Sequence, residues 1–179
     1  MRVSVYVGTS LDGFIARLNG DIDWLGNGGF DGPDEDYGYK EFFDSVNFLV
    51  MGRGTYEKAL TFDEWPYGSK AVVVLSRKGV SIPKSISRSV ECMSSSPVET
   101  VHRLSARGAQ HLYVDGGKTV QGFLSAGLIT HINITTIPII LGAGIPLFGP
   151  VETDVRLRHI DTRTYPSGLV QNMYEVADE

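Results

Sequence analysis

The residues best suited to chemistry lie where a short apolar run meets a glycine pair: His111-Leu112-Tyr113-Val114-Asp115-Gly116-Gly117-Lys118-Thr119-Val120. Leu112, Tyr113 and Val114 favour β structure and predict a buried strand. Val120, Phe123, Leu124 and Leu128 then recur at helical spacing. A strand, two glycines and a helix make a device for holding an anion: the glycines let a ligand approach the backbone, and the free N–H groups of the first helical turn attract negative charge. Lys118 adds a full positive charge there. The stretch predicts a seat for a nucleotide phosphate; the competing explanation is a tight strand-to-helix turn with no ligand. Gly117-Lys118-Thr119 matches the end of a Walker A loop, but that loop needs a further glycine where Leu112 stands. The dinucleotide fingerprint G-x-G-x-x-G fails because the two glycines are adjacent.

Two other apolar runs end in cations. Val46 to Met51 leads into Gly52-Arg53-Gly54-Thr55-Tyr56-Glu57, a second strand–glycine–helix junction. Ala71 to Leu75 ends in Ser76-Arg77-Lys78. Strand carboxyl ends gather on one edge of an open α/β sheet, where ligands bind. Arg53, Arg77 or Lys78, and Lys118 on such an edge would suit a ligand with several phosphates, and a dinucleotide carrying a 2′-phosphate fits that count. Solvated surface cations are the alternative.

The remaining elements must position these corners. Val3 to Gly8 predicts a central strand, followed by an Asp12-Gly13 turn. A long irregular region around Asp23-Trp24-Leu25, punctuated by Asn27-Gly28-Gly29, suits a functional loop; Trp24 either covers something apolar as a lid or pins the loop. Pro33-Asp34-Glu35-Asp36 reads as the first turn of a helix running through Tyr39, Phe42 and Phe43. Ser96-Pro97-Val98-Glu99 is a well-formed helix start. A strand follows through Ile132 to Ile137, then an antiparallel pair, Arg156 to Arg163 and Leu169 to Val176, joined at Pro166-Ser167-Gly168. The order predicts one mixed α/β sheet in a single domain spanning 1–179.

Composition narrows the function classes. With 42% hydrophobic and 21% charged residues, the 179-residue chain matches an ordinary globular protein that can bury a sizeable core. A net charge of -5 without a basic run argues against nucleic-acid binding. Cys92 is the only cysteine and the four histidines lack ligand spacing, so no metal is expected. The N-terminus lacks signal-peptide features, and Ile132 to Phe148 is broken by Asn133, Pro138, Gly142, Gly144 and Pro146. A cytoplasmic protein that does not engage membranes is expected.

These motifs resemble a known family. Met51-Gly52-Arg53-Gly54-Thr55-Tyr56-Glu57 is similar to the M-G-R-x-T-[WY]-E motif of dihydrofolate reductases, and Val114 to Val120 to their later Gly-Gly motif. Ser10-Leu11-Asp12-Gly13-Phe14-Ile15-Ala16, Asp21-Ile22-Asp23-Trp24-Leu25 and Ile137-Pro138-Ile139-Ile140-Leu141-Gly142 resemble the reductase domain of bacterial riboflavin biosynthesis, the RibD C-terminal branch. The likeness covers essentially the whole chain. No cytidine-deaminase-like zinc domain precedes it, so a stand-alone reductase domain is expected.

The resemblance implies a three-layer α/β/α fold with a central mixed, mostly parallel sheet, an antiparallel C-terminal hairpin, and NADPH as cofactor. It puts Gly52, Arg53, Gly54 and Thr55 at the adenosine-side phosphates and Leu75, Ser76 and Arg77 around the adenine ribose, with Arg77 on the 2′-phosphate. Gly116, Gly117, Lys118, Thr119 and Val120 would wrap the pyrophosphate, and Val7, Gly8 and Ile15 would face the nicotinamide. Asp36 falls about where a dihydrofolate reductase carries its substrate-gripping carboxylate, with Asp12 a second candidate; both have bland alternatives, a helix-dipole acid and a turn. The implied activity is NADPH-dependent reduction of a C=N or C=O bond in a pterin- or pyrimidine-like molecule, like that of 5-amino-6-(5-phosphoribosylamino)uracil reductase. The alternatives are a dihydrofolate reductase or a non-catalytic NADP-binding module. A homodimer is implied by the riboflavin branch alone.

Overall fold

Alternation along the apolar strands builds two cores, one on each face of a single sheet. Leu49 and Met51 face one side while Val50 faces the other; Val72 and Val74 oppose Val73, and Tyr113 opposes Leu112 and Val114. Runs apolar on both faces mark strands covered on both sides. The computed structural model describes residues 1–26, 31, 32 and 34–177.

The elements are β1 (Arg2–Ser10), β2 (Phe14–Ala16), a 3-10 turn (Asp23–Leu25), α1 (Tyr39–Ser45), β3 (Phe48–Gly52), α2 (Arg53–Ala59), β4 (Ala71–Leu75), β5 (Val90–Met93), α3 (Pro97–Ala106), β6 (His111–Asp115), α4 (Gly117–Ser125), β7 (His131–Ile137), β8 (Ile145–Pro146), β9 (Leu157–Thr164) and β10 (Val170–Val176). Eight strands form one sheet in the order β5-β4-β3-β6-β1-β7-β10-β9, and β2 pairs with β8 as a separate antiparallel pair. The six strands from β5 to β7 run parallel, while β10 is antiparallel to both β7 and β9. Tyr39, Phe42 and Phe43 of α1 and Tyr56 of α2 cover one face; Leu104 of α3 and Val120, Phe123 and Leu124 of α4 cover the other. The three-layer arrangement implied by the resemblance is the one found.

Several elements differ from the expectation, the short strands β2 and β8 among them. The helix expected from Pro33 begins only at Tyr39; Pro33 lies outside the described residues, as does Asn27-Gly28-Gly29. Tyr37 and Gly38 both have positive φ (58° and 84°), which a right-handed helix cannot accommodate, so 34–38 is irregular chain with turns at Asp34 and at Tyr37 and Gly38. Strand β5 was not expected: Val90-Glu91-Cys92-Met93 carries too little apolar signal, and pairing with β4 (Val72↔Val90 to Leu75↔Met93) makes it a strand.

Candidate active site

Parallel pairing brings the carboxyl ends of β1, β3, β4, β6 and β7 to one edge. Gly52 is registered with Leu75, and Met51 with both Val74 and Asp115, so the three polar junctions stand side by side. The junctions after β3 and β6 interlock. A Cβ placed on Gly52 would stand 2.8 Å from Thr119 Oγ1, and one on Gly116 would run into Thr55 Oγ1. Gly116 also adopts φ 90°, a conformation natural to glycine. A Cβ on Gly117 would meet the Pro146 carbonyl at 2.9 Å, Ile145 at 3.1 Å and Ile15 at 3.4 Å. The glycine pair was expected to open a path for a ligand. In the structure it admits the chain itself: α4 begins tight against α2 on one side and against the β2–β8 pair on the other. Among Gly52, Gly54, Gly116 and Gly117, Gly54 alone has open space above it, since no heavy atom lies within 4 Å of its added Cβ.

Capping separates these helix starts from a third. At α3, Ser96 accepts from the Glu99 amide and Glu99 returns to the Ser96 amide, so its first turn is closed by its own side chains. No side chain caps α2 or α4. Their first-turn N–H groups are left for another acceptor. Lys118 and Arg77 are exposed beside them, with no ion-pair partner among the described residues. Arg53 is exposed and pairs with Glu57 one turn on, at 2.6 Å. Ser76 Oγ donates to the Gly79 carbonyl at 3.1 Å, shaping the turn that carries Arg77. Val120 is buried in the core, so only its backbone faces the junction. Val7 and Leu75 pack partly into that same core, as does Ile15.

The far end of the edge is covered. A Cβ on Gly8 would stand 2.8 Å from Leu25 and 3.3 Å from Ile137. Trp24 is buried with Ile137 and Leu169. The 3-10 turn therefore lies across the ends of β1 and β7, tied down by Asp21 to Lys58 of α2 (2.9 Å) and by Asp23 to Arg17 (2.7 Å).

The acids have distinct environments. Asp36 accepts the Gly38 and Lys40 amides at 2.9 and 3.0 Å, and these bonds, Gly38's first, hold its carboxyl below the usual range. It is an exposed, ionised group at the start of α1. Asp12 accepts from Ser10 Oγ (2.6 Å) and from the Leu141 and Gly142 amides (3.1 and 2.7 Å), with Ser10 the largest cause of a lowered pKa. Its bonds tie the Ile139 to Gly142 loop to the β1–β2 turn, the work of an anchor.

Asp115 is not among the site residues expected from the sequence, although it stands between the apolar run and the glycine pair. It ends β6 on the α1 side of the sheet. Burial pushes its carboxyl up to about 6, against one opposing bond from the Gly116 amide at 2.7 Å. Tyr39, Tyr67 and Tyr113 surround it closely enough to feel its charge; burial first, then Asp115, raises all three phenols. Asp115 is thus the described acid at this edge that can carry a proton near neutral pH. The available signal was an acid placed directly between a buried strand and a glycine pair.

Residues 2–171 match the model of the RibD C-terminal domain. The chain belongs to the RibD C-terminal domain family. It is 33% identical to the Bacillus subtilis (strain 168) protein YwjB over 92% of both chains. Among solved structures it is similar to a Shewanella sp. PV-4 protein assigned to riboflavin biosynthesis, at 37% identity and a TM-score of 0.92, covering 99% of this chain and 100% of that one. Dihydrofolate reductase from Enterococcus faecalis, solved with NADP(H), shares the fold at a TM-score of 0.68 and 15% identity, over 99% of this chain and 97% of the other. RibD C-terminal family membership makes this a reductase-type α/β scaffold, and no helix among the described residues is long and apolar enough to cross a membrane.

Proposed function

We propose that the protein is an NADPH-dependent reductase of a C=N or C=O bond in a pterin- or pyrimidine-like heterocycle. The observation that carries this reading is the pair of interlocked, uncapped helix starts, α2 and α4, beside Lys118 and Arg77, while α3 nearby is closed by its own capping box. Uncapped N–H groups beside cations fit a pyrophosphate and a 2′-phosphate. Gly52, Arg53, Gly54 and Thr55 would hold the adenosine-side phosphates; Gly116 to Val120 would line the pyrophosphate with backbone; Leu75, Ser76 and Arg77 would border the ribose. Val7, Gly8 and Ile15 belong to the nicotinamide end, which requires Leu25 to yield space over Gly8.

NADPH supplies the hydride when bound. The chain's own part is to align the ring, exclude water and deliver a proton. Asp115, protonated up to pH about 6, is the proton holder on the α1 side. Asp36, ionised and facing solvent at the start of α1, suits gripping an N–H of the substrate. The enzyme would work in the cytoplasm, as a homodimer.

Fluorescence titration with NADPH and NADH tests the cofactor claim: micromolar NADPH binding is expected, and no binding of either at high micromolar concentration overturns it. A screen of NADPH oxidation against pterins, ribosylaminopyrimidines and dihydrofolate then tests the substrate class. Turnover of dihydrofolate alone would move the assignment to a dihydrofolate reductase.

A further inference from the structure

The segment bearing Asp36 enters α1 through Tyr37, the one non-glycine residue among those described with positive φ. A side-chain-bearing residue holds that conformation only where its surroundings fix it. The C-terminal hairpin does so at three points. The Ser167 amide and hydroxyl donate to Asp31 at 2.6 and 2.5 Å. The Tyr165 ring meets Tyr37 edge-on, with centroids 4.8 Å apart. Gln171 Nε2 donates to the Tyr37 carbonyl at 3.0 Å.

Gln171 is the hub of the contact. Its Nε2 also lies 3.1 Å from Tyr6 Oη and 3.1 Å from Thr135 Oγ1, and Tyr6 in turn donates its hydroxyl to the Tyr37 carbonyl at 2.6 Å. One amide thereby joins β10, β7, β1 and the loop. Gln171 is 0% exposed. A glutamine buried that deeply is uncommon, and the β7–β10 pairing of Gln171 with Thr135 is made by backbone. An apolar side chain would serve packing there; the polar end answers to Tyr37.

We propose that Gln171 is a positioning residue of the site: its amide holds Tyr37 in the left-handed conformation and so fixes where Asp36 and the start of α1 meet the cleft. This rests on the reading that the Asp36 side of the cleft receives substrate. The Gly38 and Lys40 amides, which Asp36 accepts, report its position directly.

The test is amide hydrogen exchange with NADPH titration on Gln171→Met and Gln171→Glu. In Gln171→Met the Gly38 and Lys40 amides should exchange at least about tenfold faster, as local opening becomes easier, while Val50 and Val73 in the sheet keep their rates and NADPH affinity stays within about twofold. In Gln171→Glu, an ionised carboxylate faces the Tyr37 carbonyl without a donor; protonation restores one, so protection of Gly38 should recover as pH falls. A purely packing role gives no such recovery. Unchanged exchange at Gly38 and Lys40, acceleration that includes Val50 and Val73, or a Gln171→Glu variant indifferent to pH overturns the proposal. Should Gln171→Met fail to fold, Tyr6→Phe removes the other donor to Tyr37 and is read the same way. A wild-type protein that binds no NADPH sinks the proposed function, whereas the exchange pattern judges Gln171 by itself.

Discussion

Gly52 lies directly beneath the Thr119 hydroxyl, 2.8 Å from where its Cβ would be, and Gly116 meets Thr55 in the reciprocal way. Two strand-to-helix corners are thus built as one piece. Gly116→Ala should lower stability through both collision and a strained φ, by roughly 1–3 kcal/mol, and Gly117→Val through collision with Pro146 and Ile145. Gly54→Ala has room and should leave stability equal or raised by about 0.5–1 kcal/mol as a helix residue. If phosphates approach there, it should nevertheless weaken NADPH. Thermal denaturation beside NADPH titration separates the two kinds of glycine; loss of stability in Gly54→Ala contradicts the assignment.

If Arg77 meets the 2′-phosphate as proposed, Arg77→Ala should weaken NADPH binding by about 1.5–3 kcal/mol, the worth of a charge-assisted contact, and leave NADH nearly unchanged. Equal losses for both cofactors would remove Arg77 from that role.

Much of this was legible in the sequence because it depended on local signals. Apolar runs ending in Gly52, Leu75 and Gly116 located the strands and their cationic ends. The role of the glycines was not legible: whether a missing Cβ admits a ligand or a neighbouring helix depends on what lies opposite, and Thr55 and Thr119 come from other segments. Asp115 was invisible as a chemical group for a related reason. Its altered acidity comes from burial among Tyr39, Tyr67 and Tyr113, which only the fold brings together. The start of α1 was misplaced because Asp34, Glu35 and Asp36 look like a first turn, whereas Tyr37 and Gly38 take positive φ and the Tyr37 carbonyl is held by distant Gln171 and Tyr6.

Asp115 should make stability depend on pH. Its folded-state pKa of about 6 lies above the ordinary 3.8, so the folded protein holds this proton more tightly than the unfolded chain does. That contribution is full below pH 3.8 and is lost as pH rises through 6. Asp115→Asn should therefore gain on wild type at pH 8, by an amount on the order of 2–3 kcal/mol, with the gap closing below pH 4. Urea unfolding across pH checks this. The same variant should also lose turnover; full activity would show that the proton comes from elsewhere.

His111 acts in the opposite sense. Ser4 Oγ lies 2.8 Å from its Nε2 and Ser45 Oγ 3.1 Å from its Nδ1, a bridge between β1, β6 and the end of α1. Burial, followed by the charge of Arg2, depresses its pKa below 6.5. The neutral ring's contribution is present above pH 6.5 and is lost as pH falls through the lower folded-state value. His111→Gln should flatten the stability profile below pH 6.5, measured by the same unfolding series.

If Asp36 grips the substrate as proposed, Asp36→Asn should leave NADPH affinity unchanged and reduce turnover, because only the proposed substrate-side carboxylate is altered. A fall in affinity with unchanged turnover would reverse the assignment.

The position of β1 governs how the chain can be made. Of these strands β1 comes first in the chain, yet it sits in the middle of the sheet, Arg2 beside His111 and Ser4 beside His131. Both of its partners are synthesised much later, so β1 must wait unpaired while β3, β4 and β5 form their own parallel set. Such distant pairing is slow, and during that delay its bare hydrogen-bonding edges are open to other chains. The same topology that gathers the strand ends into one site leaves β1 without its second sheet partner until β7 is made.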